Sequence, residues 1–228
     1  MRTIVAIIYS ILIFNISLSG QNYKTILVKA RTKMTDYFPY NERFRYQDFR
    51  PGKVVFKNGT SNNINLNYYY LTGEIVFLQT KDTLYISKKK DLLYVVAPDT
   101  FYYDNGYIEV ISGGELKVGL KQYVKIKDVL KEGAMGTMNR VSSIDTYSSL
   151  WADGNSYGLV PNENIEVQMT MEYYLSNFSS GFIQFNKKNA IQLFPQKEDE
   201  IKAYIKSNKV DFDSRDDLLK FADYLRSL

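Results

Sequence analysis

The sequence predicts a mainly β protein: an antiparallel meander forming a sandwich, a roll or a small barrel, followed by two short C-terminal helices. Aromatic residues make up 15% of the 228 residues, with 20 Tyr against one Trp, and such rings suit a pleated, half-buried surface. Short apolar runs alternate with turn residues at a spacing of roughly 8 to 12 residues between Tyr46 and Ile126. Beyond residue 187 the apolar residues follow the helical period instead.

Residues 1–20 have the pattern of a secretory signal peptide. Arg2 precedes an apolar run from Ile4 to Ile16, and small residues follow from Ser17 to Gly20. A membrane anchor is the alternative, but it needs roughly 20 apolar residues, more than this run provides. We therefore expect cleavage before Gln21 and an exported protein with no transmembrane segment after cleavage. Its expected location is the periplasm or the outer membrane, with the cell surface as a further option.

The composition excludes several chemistries. The chain has no Cys and no His, so it supplies no thiolate, no imidazole base and no zinc site made of these residues. The formal charge of +4 is too small to indicate a nucleic-acid partner. The basic run Lys88–Lys90 is typical of a solvated turn, or of charges that protect flanking strands from aggregation. We expect no cofactor and no metal.

The predicted strands are separated by three recognisable turns. Asn58-Gly59, Thr72-Gly73 and Asp104-Asn105-Gly106 all carry residues that accept positive φ angles. Strands are expected at 53–57, 64–69, 74–78, 83–86, 92–97, 101–103, 107–111, 116–126, 165–173 and 182–185.

The predicted tail, residues 187–228, packs on the β-rich domain of residues 21–186. Its first helix, Glu198–Lys206, places three apolar side chains on one face, and its second starts at Ser214, three residues before Asp217. The side chains expected to face the core or a partner are Ile201, Tyr204, Ile205, Leu218, Ala222 and Leu225.

The segment Lys131–Asn164 has no clear period, and loops of this length are often functional. It contains the only Trp of the chain, and large aromatic side chains are frequent anchors at interfaces. The candidate partner-binding residues are Met135, Tyr147, Trp151 and Tyr157. The alternative is that Trp151 closes one end of the β core.

Catalytic candidates are few. Paired carboxylates can hydrolyse glycosides without His or Cys, and the available residues are Glu74, Glu109, Glu115, Glu166 and Glu172. We expect them on the solvent face of their strands. The spacing Ser87-x-x-Lys90 follows a strand rather than starting a helix, and the acidic groups near residues 104 and 213 do not match a calcium loop. No catalytic residue is assigned.

Several stretches resemble uncharacterised exported cell-envelope proteins of Bacteroidota. They are Phe49–Gly59, Leu66-Asn67-Tyr68, Thr72–Ile75, Leu193–Lys206 and Val210-Asp211-Phe212, and the Gly20-Gln21 junction is similar to cleavage sites in that group. The resemblance implies a cell-envelope setting but carries over no activity and no site residues.

Two function classes remain open. The first is a non-enzymatic interaction subunit of a cell-envelope protein complex. The second is a secreted module that binds carbohydrate or hydrolyses glycans with carboxylates.

Overall fold

A computed structural model describes residues 24–79, 82–132, 138–141, 159–177 and 181–228. They form an open, mainly antiparallel sheet of twelve strands with short helices at the C-terminal end, which confirms the predicted fold class. The strands are β1 Ile26–Val28, β2 Arg50–Phe56, β3 Ser61–Tyr69, β4 Glu74–Gln79, β5 Asp82–Tyr85, β6 Leu92–Val96, β7 Thr100–Tyr103, β8 Tyr107–Ser112, β9 Lys117–Glu132, β10 Met138–Val141, β11 Asn164–Asn177 and β12 Gly181–Gln184. The helices are α1 Tyr40–Arg43, α2 Lys187–Leu193, α3 Glu198–Asn208 and α4 Arg215–Arg226, and single 3-10 turns lie at Met34–Asp36, Lys89–Asp91 and Pro195–Lys197.

The order of strands across the sheet is β1-β11-β9-β8-β7-β6-β2-β3-β4-β5, with β10 beside β9 and β12 beside β11. Most neighbours are also consecutive in the chain. The β1–β11, β2–β6 and β9–β11 pairs are not. β9 and β11, the two longest strands, pair along most of their length.

The three predicted turns are present. Gly59 has a φ of +84°, Gly73 of +67° and Gly106 of +123°. All three values lie in the region that glycine adopts without a steric penalty. The three turns connect β2 to β3, β3 to β4, and β7 to β8.

The β3–β4 hairpin is buried on both faces, because the sheet curls over itself. Leu66, Tyr68 and Ile75 belong to one apolar core, together with residues of β2, β6, β7 and β8. Tyr69 and Val76 belong to a second core, together with residues of β1, β9 and β11. A hairpin between two cores is the arrangement of a roll.

The C-terminal helices pack on β9 and β11. A third core joins Val118, Leu175 and neighbouring strand residues to the helices. Four of the six predicted apolar tail residues, Ile201, Leu218, Ala222 and Leu225, are at most 1% exposed. Tyr204 and Ile205 are partly buried against the same core, so the predicted apolar faces of both helices are confirmed.

The start of α4 is capped as predicted. The side chain of Ser214 accepts a hydrogen bond from the backbone N–H of Asp217, and Asp216 and Asp217 lie in the first turn, where the helix dipole favours negative charge. At the other end, the guanidinium of Arg226 donates to the carbonyl oxygen of Leu116 at 2.7 Å and so ties the helix to the sheet.

Several elements differ from the prediction: β1 and α1 were not predicted, and β9 continues to Glu132, beyond its predicted end at Ile126. Within the segment expected to be irregular, Met138–Val141 forms β10 and pairs with Val129–Glu132. Helix α2 was not predicted, because its seven residues span only two turns and give little periodic signal. Asn186 caps it by accepting from the backbone N–H of Asn189.

Candidate functional site

The turn between β3 and β4 rests directly on β9. The backbone N–H of Val124 donates to the carbonyl oxygen of Tyr70 at 2.9 Å, and the hydroxyl of Tyr68 donates to the carbonyl oxygen of Gln122 at 2.7 Å. A Cβ atom added to Gly73 would lie 3.0 Å from the Cβ of Tyr123. We call this close contact between the turn, residues 70–74, and β9 the seam.

A groove of about 580 Å³ opens beside the seam. Its walls are the β3–β4 turn, the β7–β8 turn and one stretch of β9. Its size lies within the roughly 300–1,000 Å³ of ligand sites. The apolar side chains that line it are Met34, Leu71, Val124, Ile126 and Leu159, and the remaining lining residues are Thr72, Gly73, Glu74, Tyr103, Asn105, Gly106, Lys121 and Tyr123. We call it the seam groove.

The seam groove contains one acidic residue whose charge is compensated. The ammonium of Lys89 lies 2.7 Å from Oε1 of Glu74. The second oxygen, Oε2, is buried and has no hydrogen-bond partner among the described protein atoms, and the same is true of the hydroxyl of Thr72. Burial raises the pKa of the Glu74 carboxyl, and the Lys89 ammonium offsets part of that rise.

The seam groove also contains a basic residue. Lys121 extends across Gly106, where a Cβ atom would collide with the lysine stem. Its ammonium donates to the carbonyl oxygen of Asn105 and lies 5.8 Å from the centre of the Tyr174 ring. Glycine at position 106 therefore permits both the turn and the path of the lysine side chain.

A buried hydroxyl lies close to the groove residues Glu74 and Tyr103. Tyr107 is 0% exposed, and its hydroxyl has no hydrogen-bond partner among the described protein atoms. Burial raises the pKa of this phenol, and the nearby charge of Glu74 raises it further. The ring of Tyr103, which lines the seam groove, contacts that of Tyr107 edge to face at 5.1 Å.

A separate ion network ties the segment after α1 to the sheet. One guanidinium nitrogen of Arg45 lies 2.8 Å from Oε1 of Glu109 and 3.2 Å from Oδ2 of Asp99. The hydroxyl of Tyr46 donates to the same Asp99 oxygen at 2.8 Å. Because both carboxylates are held by the arginine, we assign this network to stability.

The expectation that the candidate glutamates face solvent was wrong for two of them. Glu109 is only 7% exposed, and the side chain of Glu74 is 19% exposed. Both lie where the sheet curls, so faces that would be wet in a flat sheet become enclosed. Glu115 is exposed, Glu166 is half-buried, and Glu172 accepts hydrogen bonds from the hydroxyls of Tyr123 and Tyr174.

The partner-binding candidates Met135, Tyr147, Trp151 and Tyr157 lie outside the described residues. The end of their segment is described, and Leu159 lines the seam groove with 3% of its surface exposed. Its carbonyl oxygen accepts a hydrogen bond from the backbone N–H of Met34 at 3.1 Å. Leu159, near the end of the segment predicted to be functional, is therefore part of the groove wall.

The sequence reasoning missed the seam groove itself. Thr72-Gly73 and Asp104-Asn105-Gly106 were recognised as turns, but nothing in their sequence indicates that both lie beside the same stretch of β9. Lys89 was interpreted as part of a solvated run. Instead it is partly buried against Glu74, while Lys88 and Lys90 are exposed.

Comparison of the chain with known protein families, with curated proteins and with solved structures finds no match. Within the described residues, every helix is too short or too polar to cross a membrane. The same residues contain no group of three or more Asp or Glu side chains arranged to hold a metal ion.

Proposed function

We propose that the protein is a non-enzymatic, exported interaction subunit of a cell-envelope protein complex, and that the seam groove receives a segment of its protein partner. The observation that carries this proposal is the make-up of the groove. Apolar side chains line it together with the ammonium stem of Lys121 and the charge-compensated carboxylate of Glu74. Predominantly apolar sites with a few well-placed polar groups are typical of binding sites.

The aliphatic side chains that line the groove favour a peptide over a sugar. Leu71, Val124 and Ile126 gain contact with an apolar side chain, whereas the many hydroxyls of a sugar would lose water there without gaining partners.

Export is supported by the pattern of Arg2, the apolar run from Ile4 to Ile16 and the small residues after it.

Carbohydrate binding is the second candidate. It is favoured by Tyr103 and Tyr123, whose rings line the groove beside the carboxylate of Glu74. Carboxylate-dependent hydrolysis has less support, since Glu74 and Glu109 are each already paired with a cation.

Site-specific photocrosslinking in the native envelope tests the proposal. The photoreactive residue p-benzoylphenylalanine replaces Tyr103 in the groove. As a matched control it replaces Tyr94, whose ring contacts Tyr102 on the sheet face opposite the buried Val95. We expect a discrete protein adduct from position 103 and none of that mass from position 94. Glycan adducts alone at position 103, or identical adducts at both positions, would contradict the proposal.

A further inference from the structure

We infer that a short, extended segment of a partner protein binds along an unpaired edge of β11 and adds a strand to the sheet there. On one side β11 pairs with β9. On its other side β1 pairs with residues 165–167 and β12 with residues 174–177. No described strand pairs with residues 169–172 on that side, and we call this stretch the edge notch. It shares no residue with the seam groove, so the inference goes beyond the proposed function.

The register of the sheet directs backbone groups into the edge notch. The backbone N–H of Val124 donates to the β3–β4 turn and so points away from β11, where Met169 lies opposite Val124. Opposite residues of an antiparallel pair point their backbone groups either toward each other or away from each other. Met169 therefore points its N–H and C=O away from β9, and Met171, two residues further on, does the same. Tyr173 follows this pattern, because its carbonyl oxygen accepts from the backbone N–H of Phe185 at 2.7 Å on that side.

The edge notch is open for pairing. In the part of the chain that the structure describes, no backbone group outside β9 donates to or accepts from the backbone of Met169 or Met171. Residues 169–172 all keep part of their surface exposed. An unpaired strand edge is a template for an extended segment, whose own backbone groups then supply the missing hydrogen bonds.

The two ends of the edge notch decide what can enter it. β1 and β12 lie along the same edge of β11 and would collide with the edge of a second sheet, so a strand pair between two copies of this chain does not fit. A single extended segment of about four residues fits between them. Lys24 and Thr25, which directly precede β1, are exposed and lie outside the ladder. We therefore assign the segment to a partner protein.

The side chains of β11 determine which segment fits. Met169 packs on two of the apolar cores and Met171 on the third, while Thr170 and Glu172 lie on the opposite face of the strand. Side chains directly opposite each other on neighbouring strands share a face and contact each other. The segment therefore alternates aliphatic residues, beside the two methionines, with polar residues beside Thr170 and Glu172. Methionine side chains adapt their shape, so Val, Ile and Leu can all occupy the aliphatic positions.

Amide hydrogen exchange of the mature protein, followed by NMR, tests the inference. In the free protein we expect fast exchange at Met169 and Met171, and slow exchange at Thr170 and Glu172, whose N–H groups point to β9. The probe is the peptide Lys-Thr-Val-Thr-Val-Lys with blocked ends, whose valines lie opposite the two methionines. At about nine times its Kd, exchange at both methionines should slow about 10-fold, because only the unbound tenth of the protein exchanges. Exchange at Thr170 and Glu172 should not change.

Two singly N-methylated peptides are the matched controls. Methylation of the first valine removes the N–H that donates to the carbonyl oxygen of Met171, so we expect affinity to fall about 10-fold or more. Methylation of the threonine between the valines blocks an N–H that faces away from β11. This second peptide should bind within about 2-fold of the unmodified probe.

Four outcomes would overturn the inference. Slow exchange at Met169 and Met171 in the free protein would show that the chain itself fills the edge notch. Equal affinity of the two methylated peptides, or binding without slower exchange at the methionines, would show that the probe adds no strand there. Failure of the probe to bind at millimolar concentration would exclude the site. The proposed function is tested separately by crosslinking at position 103, so either claim can fail while the other stands.

Discussion

The backbone N–H of Val124 donates to the carbonyl oxygen of Tyr70 at 2.9 Å, although four other strands lie between β3 and β9 in the order of the sheet. β8 pairs with β9 no further along that strand than Leu120, and beyond that point the end of β3 takes its place. The open sheet therefore curls until it contacts itself at one place. The seam groove lies there because β8 no longer pairs with β9 beyond Leu120. The β3–β4 turn, which follows along β9, does not fill the space beside it.

The seam depends on Gly73. Alanine there must adopt a φ of +67° and place its Cβ 3.0 Å from that of Tyr123, so we expect Gly73→Ala to lower the free energy of unfolding by about 1–3 kcal/mol. Gly59→Ala is the control, because its φ is +84° but no atom lies within 4 Å of the added Cβ. Chemical denaturation measures both variants. Equal losses would show that the contact with Tyr123 does not constrain the turn.

Glu109 should make stability depend on pH. Burial raises the pKa of its carboxyl above the ordinary value of 4.5, and the positive charge of the Arg45 guanidinium offsets only part of this rise. The folded state thus holds the proton more tightly than the unfolded state, so this contribution to stability is complete below pH 4.5 and is lost as pH rises through the raised folded-state pKa.

Replacing Glu109 with Gln removes this titration. We expect the unfolding free energy of Glu109→Gln to improve relative to wild type as pH rises from 4.5 toward neutrality, measured by denaturant titration at each pH. Glu115→Gln, at an exposed turn position, is the control variant, measured at the same pH values. A difference between Glu109→Gln and wild type that stays constant with pH would contradict the assignment.

Arg45 compensates a buried charge. Arg45→Met leaves the Glu109 carboxylate, 7% exposed, without its cation. Because the arginine side chain is itself 31% exposed, water screens part of the loss, and we expect destabilisation of about 3 kcal/mol or less. The double variant Arg45→Met, Glu109→Gln should recover part of that loss. If thermal melts give the double variant a lower Tm than Arg45→Met alone, a charge effect is excluded.

Local sequence patterns predicted most of the strands, because each depends on neighbouring residues. The alternation from Ile165 to Tyr173 and the turn at Asn58-Gly59 both lie where expected. The pairing of β2 with β6 was not predictable, since it joins residues about forty positions apart and hydrophobic period does not determine which strand lies next to which.

The seam groove was not predictable for the same reason. Met34, Tyr103 and Leu159 come from three distant parts of the chain, and each alone resembles an ordinary core residue. Glu74 carries no local signal of burial either, because it begins a strand directly after a turn. Only the curl of the sheet encloses it.

Export remains a prediction of the sequence. If residues 1–20 are a signal peptide, the mature chain begins at Gln21, and an N-terminal Gln can cyclise to pyroglutamate. Intact-mass analysis of the protein from its native envelope should give the mass of residues 21–228 with the loss of ammonia. Retention of residues 1–20 in the mass would show that the segment is not cleaved.

The helical tail should be essential for stability. Leu218 is 0% exposed in the core that joins α3 and α4 to β9 and β11, so truncation to alanine removes buried methyl groups and leaves a cavity. We expect Leu218→Ala to lower the free energy of unfolding by about 2–5 kcal/mol. Lys220→Ala, exposed on the same helix, should change it by less than about 0.5 kcal/mol. If Leu218→Ala unfolds in a single cooperative transition with the same denaturant midpoint as the wild type, the tail does not contribute to the folded core.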